Sequence, residues 1–584
     1  MKNPTSRDVS SVEAYVLSQL VLLSERGRCR NSLVARSGFY LVLTLVMAVL
    51  ESGSAATKPD YVKYQAPEMF SYEELVTLSN TDPLDSKLAD KLKLLTTTPF
   101  VSNEAYYAGA KPHKPSLHGT PSLRVVMWNI ERGLHLEEVK LAFTDKRALL
   151  AKMEASASKL KEVHAGEETA AEEKEKKSSP ADPEKVKEEL SLLQSADVVV
   201  LNEVDWGVKR TGYRAVIKEL GEALKMNWAY CVEFVEVDPM ILGTEQFQEV
   251  ENLEERAKLL KAVEVDKSRI RALHGTAVLS RYPIREVNAQ PFDHQGYDWF
   301  HGEQNIVTLE TGKRKAALIV GEKLGREVRR GGRTSLIVTL DVPDVKEGQV
   351  TVVATHLENR TDPKDRRLQM EELLNRLKNV RNPVILAGDL NTTGSKGRPR
   401  SVRQSVASKM GTSEFWTNQG IKYATGVGAV YGIVTGGFKS LNTQNDPTVA
   451  GVKYVAANPE AGLFDSLEEF RFEDDTVLDF RGIKSRTING TAGTLANSNQ
   501  RASKGFVPTF QFERTIGPKG KFKLDWIFVK SYLQEPRDEN GSYLLAPHFP
   551  RTMFDVNYAF PERISDHTPI SVDLPFAELN RGTK

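Results

Sequence analysis

The chain has 584 residues, 40% of them apolar and 27% charged, an ordinary composition for a globular protein with a large core rather than a collagen-like or multi-span membrane chain. Its 79 Lys and Arg nearly cancel 78 Asp and Glu, leaving a net charge of +1, so any hold on nucleic acid or an anionic membrane has to be local. The two cysteines, Cys29 and Cys231, exclude a disulfide scaffold, an iron–sulfur cluster and Cys-ligated zinc.

Residues Phe39 to Leu50 form an uncharged apolar run behind Arg26, Arg28, Arg30 and Arg36 and ahead of Ser54-Ala55-Ala56, the pattern of a secretory signal peptide. The run falls short of the roughly 18–20 residues that span a bilayer, which makes a permanent anchor, like a buried helix, the weaker reading. The expectation is an extracytoplasmic protein, periplasmic or secreted, with residues 1–56 as leader and only Cys231 left after cleavage. The 38 residues ahead of the run are long for a leader, as if translation began further in. Residues 57–120, dotted with prolines and holding one helix-like stretch at Tyr72 to Leu78, read as a partly ordered extension without visible chemistry.

From Leu123 the pattern changes to short apolar runs bounded by turn residues, which predict buried strands. They are Leu123–Ile130, Asp197–Val204, Thr276–Leu279, Ser335–Leu340, Val350–His356, Val384–Ala387, Lys523–Val529 and Ile570–Val572. Helical periodicity lies between some of them, at Lys140–Lys161 and Asp365–Val380, which makes the fold class α/β. The domain is expected to span 121–577, with insertions at about 162–189, 236–271 and 392–510. The first two are charged and read as solvated helix and loop; the third is rich in Gly, Asn, Thr and Ser, and loops of such length are often functional lids or recognition surfaces.

The polar residues that stand out fall where these runs end: Asn129, Glu203, His356 with Asn359, and Asp389 with Asn391. Asp525 sits inside a late strand, and Asp566-His567 just ahead of the last one. Each alone reads as an ordinary turn, cap or strand-end residue. Together they supply the oxygen ligands that a hard divalent cation takes and two titratable rings for proton transfer.

The ordered series WNIERG, LNEVD, GTAVLSRYPI, THLEN, GDLN, KLDWIFV and SDHTPI resembles the endonuclease/exonuclease/phosphatase superfamily from Leu123 to about Leu574. Its members include pancreatic-type deoxyribonucleases, neutral sphingomyelinases, inositol polyphosphate 5-phosphatases and deadenylases. The resemblance implies a four-layer sandwich, two mixed β-sheets packed face to face and flanked by helices. It implies Glu203 as principal ligand of Mg²⁺ or Mn²⁺, with Asn129 and Asp566 beside it. It further implies Asp389 as the group that orients and deprotonates water, Asn391 on the scissile phosphate, and His567, oriented by Asp525, on the phosphoryl oxygens. His356 becomes the second phosphate-side histidine, with protonation of the leaving oxygen as a candidate role.

Asn359 and Arg333 are added as candidate substrate contacts. His356 disfavours a dedicated abasic-site endonuclease, since such members usually carry another residue there. The aromatic segment Pro291–Gln304 reads as a base- or headgroup-stacking loop or as an ordered turn, and the basic stretch Thr311–Arg333 as a polyanion track or a solvated hairpin. The expected activity is metal-dependent phosphodiester hydrolysis of a nuclease-like kind by a monomer without an obligate protein partner. A lipid phosphodiesterase or phosphomonoesterase, and a non-catalytic phospho-ligand binder on the same fold, are the alternatives.

Overall fold

The computed structural model describes residues 60–117, 119–164, 181–248, 250–304, 327–392, 460–479, 508–516, 519–531 and 550–576. The expected leader, residues 311–326 of the basic stretch and most of the 392–510 insertion lie outside the described residues. The fold described is that of the unit Tyr61–Lys584.

Its strands, in chain order, begin with β1 (Tyr64–Gln65), β2 (Phe100–Ser102), β3 (Ser116–Leu117), β4 (Thr120–Arg132), β5 (Val198–Trp206) and β6 (Asn227–Glu236). Then come β7 (Leu273–Ser280), β8 (Ile284–Pro291), β9 (Arg329–Gly331), β10 (Thr334–Asp341), β11 (Gln349–His356) and β12 (Val384–Asp389). The chain closes with β13 (Phe510–Ile516), β14 (Lys519–Phe522), β15 (Asp525–Lys530), β16 (Arg551–Thr552) and β17 (Ile570–Pro575). Among the described residues one sheet runs β1-β2-β6-β7-β5-β4-β17-β16, with β3 on β4 and β9 on β6, and a second runs β15-β12-β11-β10-β8. Each is mixed, since β4–β5 and β11–β12 are parallel while their other neighbours are antiparallel.

The period of two along a strand explains the layers. On β4, Leu123, Val125 and Met127 join Val338, Val352, Ala387 and Ile527 of the second sheet in one buried cluster between the sheets. The alternate residues Val126, Trp128 and Ile130 face the other way, into a cluster with Leu190 and Ile217 from the helices Pro183–Gln194 and Val216–Leu224. Behind the second sheet, helix Pro363–Leu377 packs Met370, Leu373 and Leu374 on Val353 and Leu386, together with Phe464 of helix Ala461–Glu469. The result is helices, sheet, sheet, helices.

All eight expected strands are present, most with slightly wider bounds. The partly ordered extension is not: helix Tyr72–Asn80, closed by a Ser71/Glu74 capping box, and helix Ser86–Thr97, capped by Asp85, bury Leu75, Leu78 and Leu95 in the helix-side core. They lead into β2, which pairs with β6 through Phe100 and Tyr230. The 162–189 stretch is likewise solvated only in part, because helix Pro183–Gln194 buries Val186, Leu190 and Leu193. Residues 236–271 hold a helix, Leu253–Val263, with a small apolar cluster of their own around Phe247 and Leu259.

Candidate active site

Strand register alone assembles most of the site. His356 pairs with Asp389 across β11–β12, and Asp389 with Asp525 across β12–β15, so three side chains stand in a row at one end of the second sheet. In the first sheet, Asn129 pairs with Asn202 across β4–β5, immediately before a register shift in both strands. Such a bulge re-aims side chains, and here Glu131, Arg132 and Glu203 all take positive φ, a costly conformation for residues with a Cβ. Asn202 bolts the two sheets together at this end: its Oδ1 accepts from the backbone N of Asp389 at 2.8 Å, and its Nδ2 donates to Thr276 Oγ1 at 3.0 Å.

Asp389 is the hub. Its Oδ2 lies 3.5 Å from His567 Nε2 and 3.6 Å from His356 Nε2, and accepts from Asn129 Nδ2 at 3.2 Å; its Oδ1 accepts from the Asn391 backbone N at 2.8 Å. Asn129 Nδ2 also reaches Glu203 Oε1 at 3.3 Å. Burial, with help from Asp525 and against the pull of His567, raises the pKa of the Asp389 carboxyl, as a base working near neutrality requires. On His567 burial works downward but is outweighed: the Asp525 and Asp389 carboxylates raise its pKa, and its Nδ1 lies 2.8 Å from Asp525 Oδ2. Trp128 Nε1 donates to the His567 carbonyl, and Ser565 Oγ donates to the Asn129 carbonyl while accepting from the His567 backbone N.

His356 has a different partner. Its Nδ1 faces Nη1 of Arg333 at 2.8 Å, and burial followed by that guanidinium keeps its pKa well below the ordinary value. Arg333 is 1% exposed and also pairs with Glu233 Oε2 at 2.8 Å, so its Nη1 is turned to His356 and Glu233. Asn359 Oδ1 is buried without a hydrogen-bond partner, and Asn391 Nδ2 donates to the Leu357 carbonyl. Asp566 donates its backbone N to Glu131 Oε2, while its carboxylate is one of those that raise the pKa of His567.

The aromatic segment is a structural turn. Trp299 and Phe300 are each 4% exposed, Trp299 Nε1 donates to Glu358 Oε2, and the guanidinium groups of Arg360 and Arg329 lie 4.7 and 4.8 Å from its ring centroid. Sequence reasoning missed Asn202, Glu233 and Ser565. Asn202 stood next to Glu203 in the same motif, Ser565 opened another, and Glu233 gave no signal.

Among the described residues one cluster of His and Asp brings potential metal ligands together. Asp389, Asp525 and His567 are buried and offer ligand atoms within 4.8 Å of one another. Of the expected ligands, Asn129 and Glu203 lie together, Nδ2 to Oε1 at 3.3 Å, and with Asp566 they offer carboxylate and amide groups, the oxygen chemistry that hard divalent cations take.

The model of the Endonuclease/Exonuclease/phosphatase family matches residues 128–567, and the chain belongs to that family. No curated protein matches it. Among solved structures it is similar to an endonuclease/exonuclease/phosphatase from Beutenbergia cavernae, with 17% identity over 78% of this chain and 71% of that one and a TM-score of 0.32. It is also similar to ANGEL2, a 2',3'-cyclic phosphatase (14%, 77% and 94%, 0.29), and to sphingomyelinase C from Streptomyces griseocarneus (13%, 78% and 99%, 0.28). Members of the family generally hydrolyse phosphoester bonds and typically depend on a divalent metal.

Proposed function

We propose that the protein is an exported, divalent-metal-dependent phosphodiesterase that cleaves nucleic acid by in-line attack of water. The observation that carries this reading is the convergence of His567 Nε2, His356 Nε2 and Asn129 Nδ2 on one carboxylate oxygen of Asp389, within 3.2–3.6 Å. A phosphoryl group beside that oxygen meets two ring donors, and a water held by Asp389 meets a carboxylate whose pKa burial has raised toward neutrality.

Glu203, Asn129 and Asp566 would hold Mg²⁺ or Mn²⁺. The ion, when bound, supplies Lewis-acid neutralisation of phosphoryl charge. Asp525 keeps His567 charged and turned, so that Nε2 donates outward. The lipid alternative asks for an exposed apolar hairpin, and Trp299-Phe300, its candidate, is buried.

The test incubates the purified protein and its His567→Ala variant with plasmid DNA, RNA, sphingomyelin, inositol phosphates and bis-p-nitrophenyl phosphate, in Mg²⁺, Mn²⁺ or chelator. Chelator-sensitive cleavage of nucleic acid that the variant lacks is expected. Cleavage confined to sphingomyelin or an inositol phosphate moves the protein to the lipid or phosphatase branch, and no hydrolysis of any substrate overturns the catalytic reading. Export is checked by N-terminal sequencing of material secreted by cells, where an intact Met1 in a soluble cytoplasmic fraction would sink it.

A further inference from the structure

The two histidines that flank Asp389 are backed by groups of opposite charge. His567 Nδ1 faces the Asp525 carboxylate, whereas His356 Nδ1 faces Nη1 of Arg333 at 2.8 Å. A guanidinium has N–H donors and no acceptor, so an imidazole nitrogen beside it must accept. The single ring proton of His356 is then on Nε2, the atom 3.6 Å from Asp389 Oδ2. We propose that Arg333 is a positioning residue that locks His356 into its Nε2–H tautomer, which makes that ring a fixed neutral hydrogen-bond donor toward the phosphoryl site.

The surroundings show what the arginine prevents. Glu233 Oε2 lies 4.0 Å from His356 Nδ1, and Arg333 Nη1, 2.8 Å from each, is wedged between them. Without the wedge, the carboxylate would accept from Nδ1–H and draw the ring proton to the far side. Glu358 Oε2, 3.5 Å from Arg333 Nε, holds the other edge of the guanidinium. The backbone is built to bring Arg333 there. Gly332 donates its N–H to the Glu233 carbonyl at 2.8 Å, and Gly331 has φ +116° with no room for a Cβ against that carbonyl, so the Arg-Gly-Gly-Arg turn passes directly over β6.

The catalytic consequence rests on the phosphodiesterase reading; the tautomer does not, and the experiment separates them. The full chain, with ¹⁵N in its histidines, is examined by NMR, and His356 is assigned from the signals lost in His356→Asn. The wild type is expected to show protonated Nε2 and bare Nδ1. Arg333→Lys, still donor-only, is expected to keep that signature, and Arg333→Met to move the proton to Nδ1, with kcat lowered about 10²-fold and KM within about threefold. A wild-type ring protonated on Nδ1, or Arg333→Met with unchanged His356 signals, overturns the proposal. If Arg333→Met does not fold, the wild-type and Arg333→Lys spectra decide it. A protein without hydrolytic activity whose His356 carries Nε2–H would refute the phosphodiesterase reading alone, and a flipped ring with full kcat would remove the catalytic consequence.

Discussion

Gly388 opens the GDLN motif, pairs with Thr355 across β11–β12, and immediately precedes the His356–Asp389 pair in register. Its φ is not in the left-handed region, so conformational freedom does not explain it; proximity does. A Cβ at 388 would lie against the backbone carbonyl oxygen of Thr355, far inside the 3.0 Å that real Cβ atoms keep. Because the obstacle is main chain, no side-chain rotation relieves it, and the two strands must part by about 1 Å, an overpacking that costs about 1–3 kcal/mol. For a domain of this size, with an unfolding entropy of about 2.1 cal/mol/K per residue, that is a fall in Tm of about 1–3 °C. The displacement falls between the donor ring of His356 and the carboxylate it flanks, where a shift of about 1 Å costs up to about 10²-fold in rate. Gly388→Ala is therefore expected to lose more activity than its modest loss of stability accounts for. Thermal melting and kcat toward bis-p-nitrophenyl phosphate, measured well below the variant's Tm, check this. A variant that melts and turns over like wild type would refute the close-approach argument.

Asp525→Asn keeps the shape beside His567 Nδ1 but removes the charge that holds the ring protonated, and kcat is expected to fall about 10²–10⁴-fold with KM little changed; steady-state kinetics showing more than a tenth of wild-type kcat would contradict the assigned role. Asp197 offers a test of pH dependence away from the site. Burial pushes its carboxyl up to about 6, against the backbone N–H groups of His113 and Lys114 that its side chain accepts. A folded pKa raised in this way contributes stability that is complete below about pH 4 and is lost as pH rises through 6, at most about 3 kcal/mol. Asp197→Asn, neutral throughout, should thus gain on wild type in Tm between pH 4 and 7, and parallel Tm–pH curves for the two proteins would rule the effect out.

Strand runs such as Val350–His356 and Val384–Ala387 were legible because both faces of each strand are covered and the chain is apolar almost throughout. The same reasoning passed over β6, although all ten of its residues are buried, because Glu233 and Glu236 interrupt its apolar run. Their compensating cations are remote: Arg333 lies a hundred residues beyond Glu233, and Arg210 and Arg329 pair with Glu236 from either side in sequence. No local pattern announces a carboxylate that will be neutralised that far away. Motif order brought Asn129, His356, Asp389, Asp525 and His567 to attention, and the structure sets Asn129, His356 and His567 around one oxygen of Asp389, with Asp525 behind His567. It could not show that Arg333, one of a run of basic residues, points inward while others in that run remain outside the described fold.

The way β2 continues the first sheet decides how this protein can be cut. A fragment begun at the first recognisable motif, near residue 121, would lack β1 and β2 and strip the partners from Trp228, Ala229 and Tyr230 on β6. It would also bare the apolar underside that Leu75, Leu78 and Leu95 cover. An unpaired, flat, apolar strand edge is a template for joining to another copy. Recombinant material trimmed to the motif boundary should accumulate as aggregate, and soluble material should require a start no later than Tyr61.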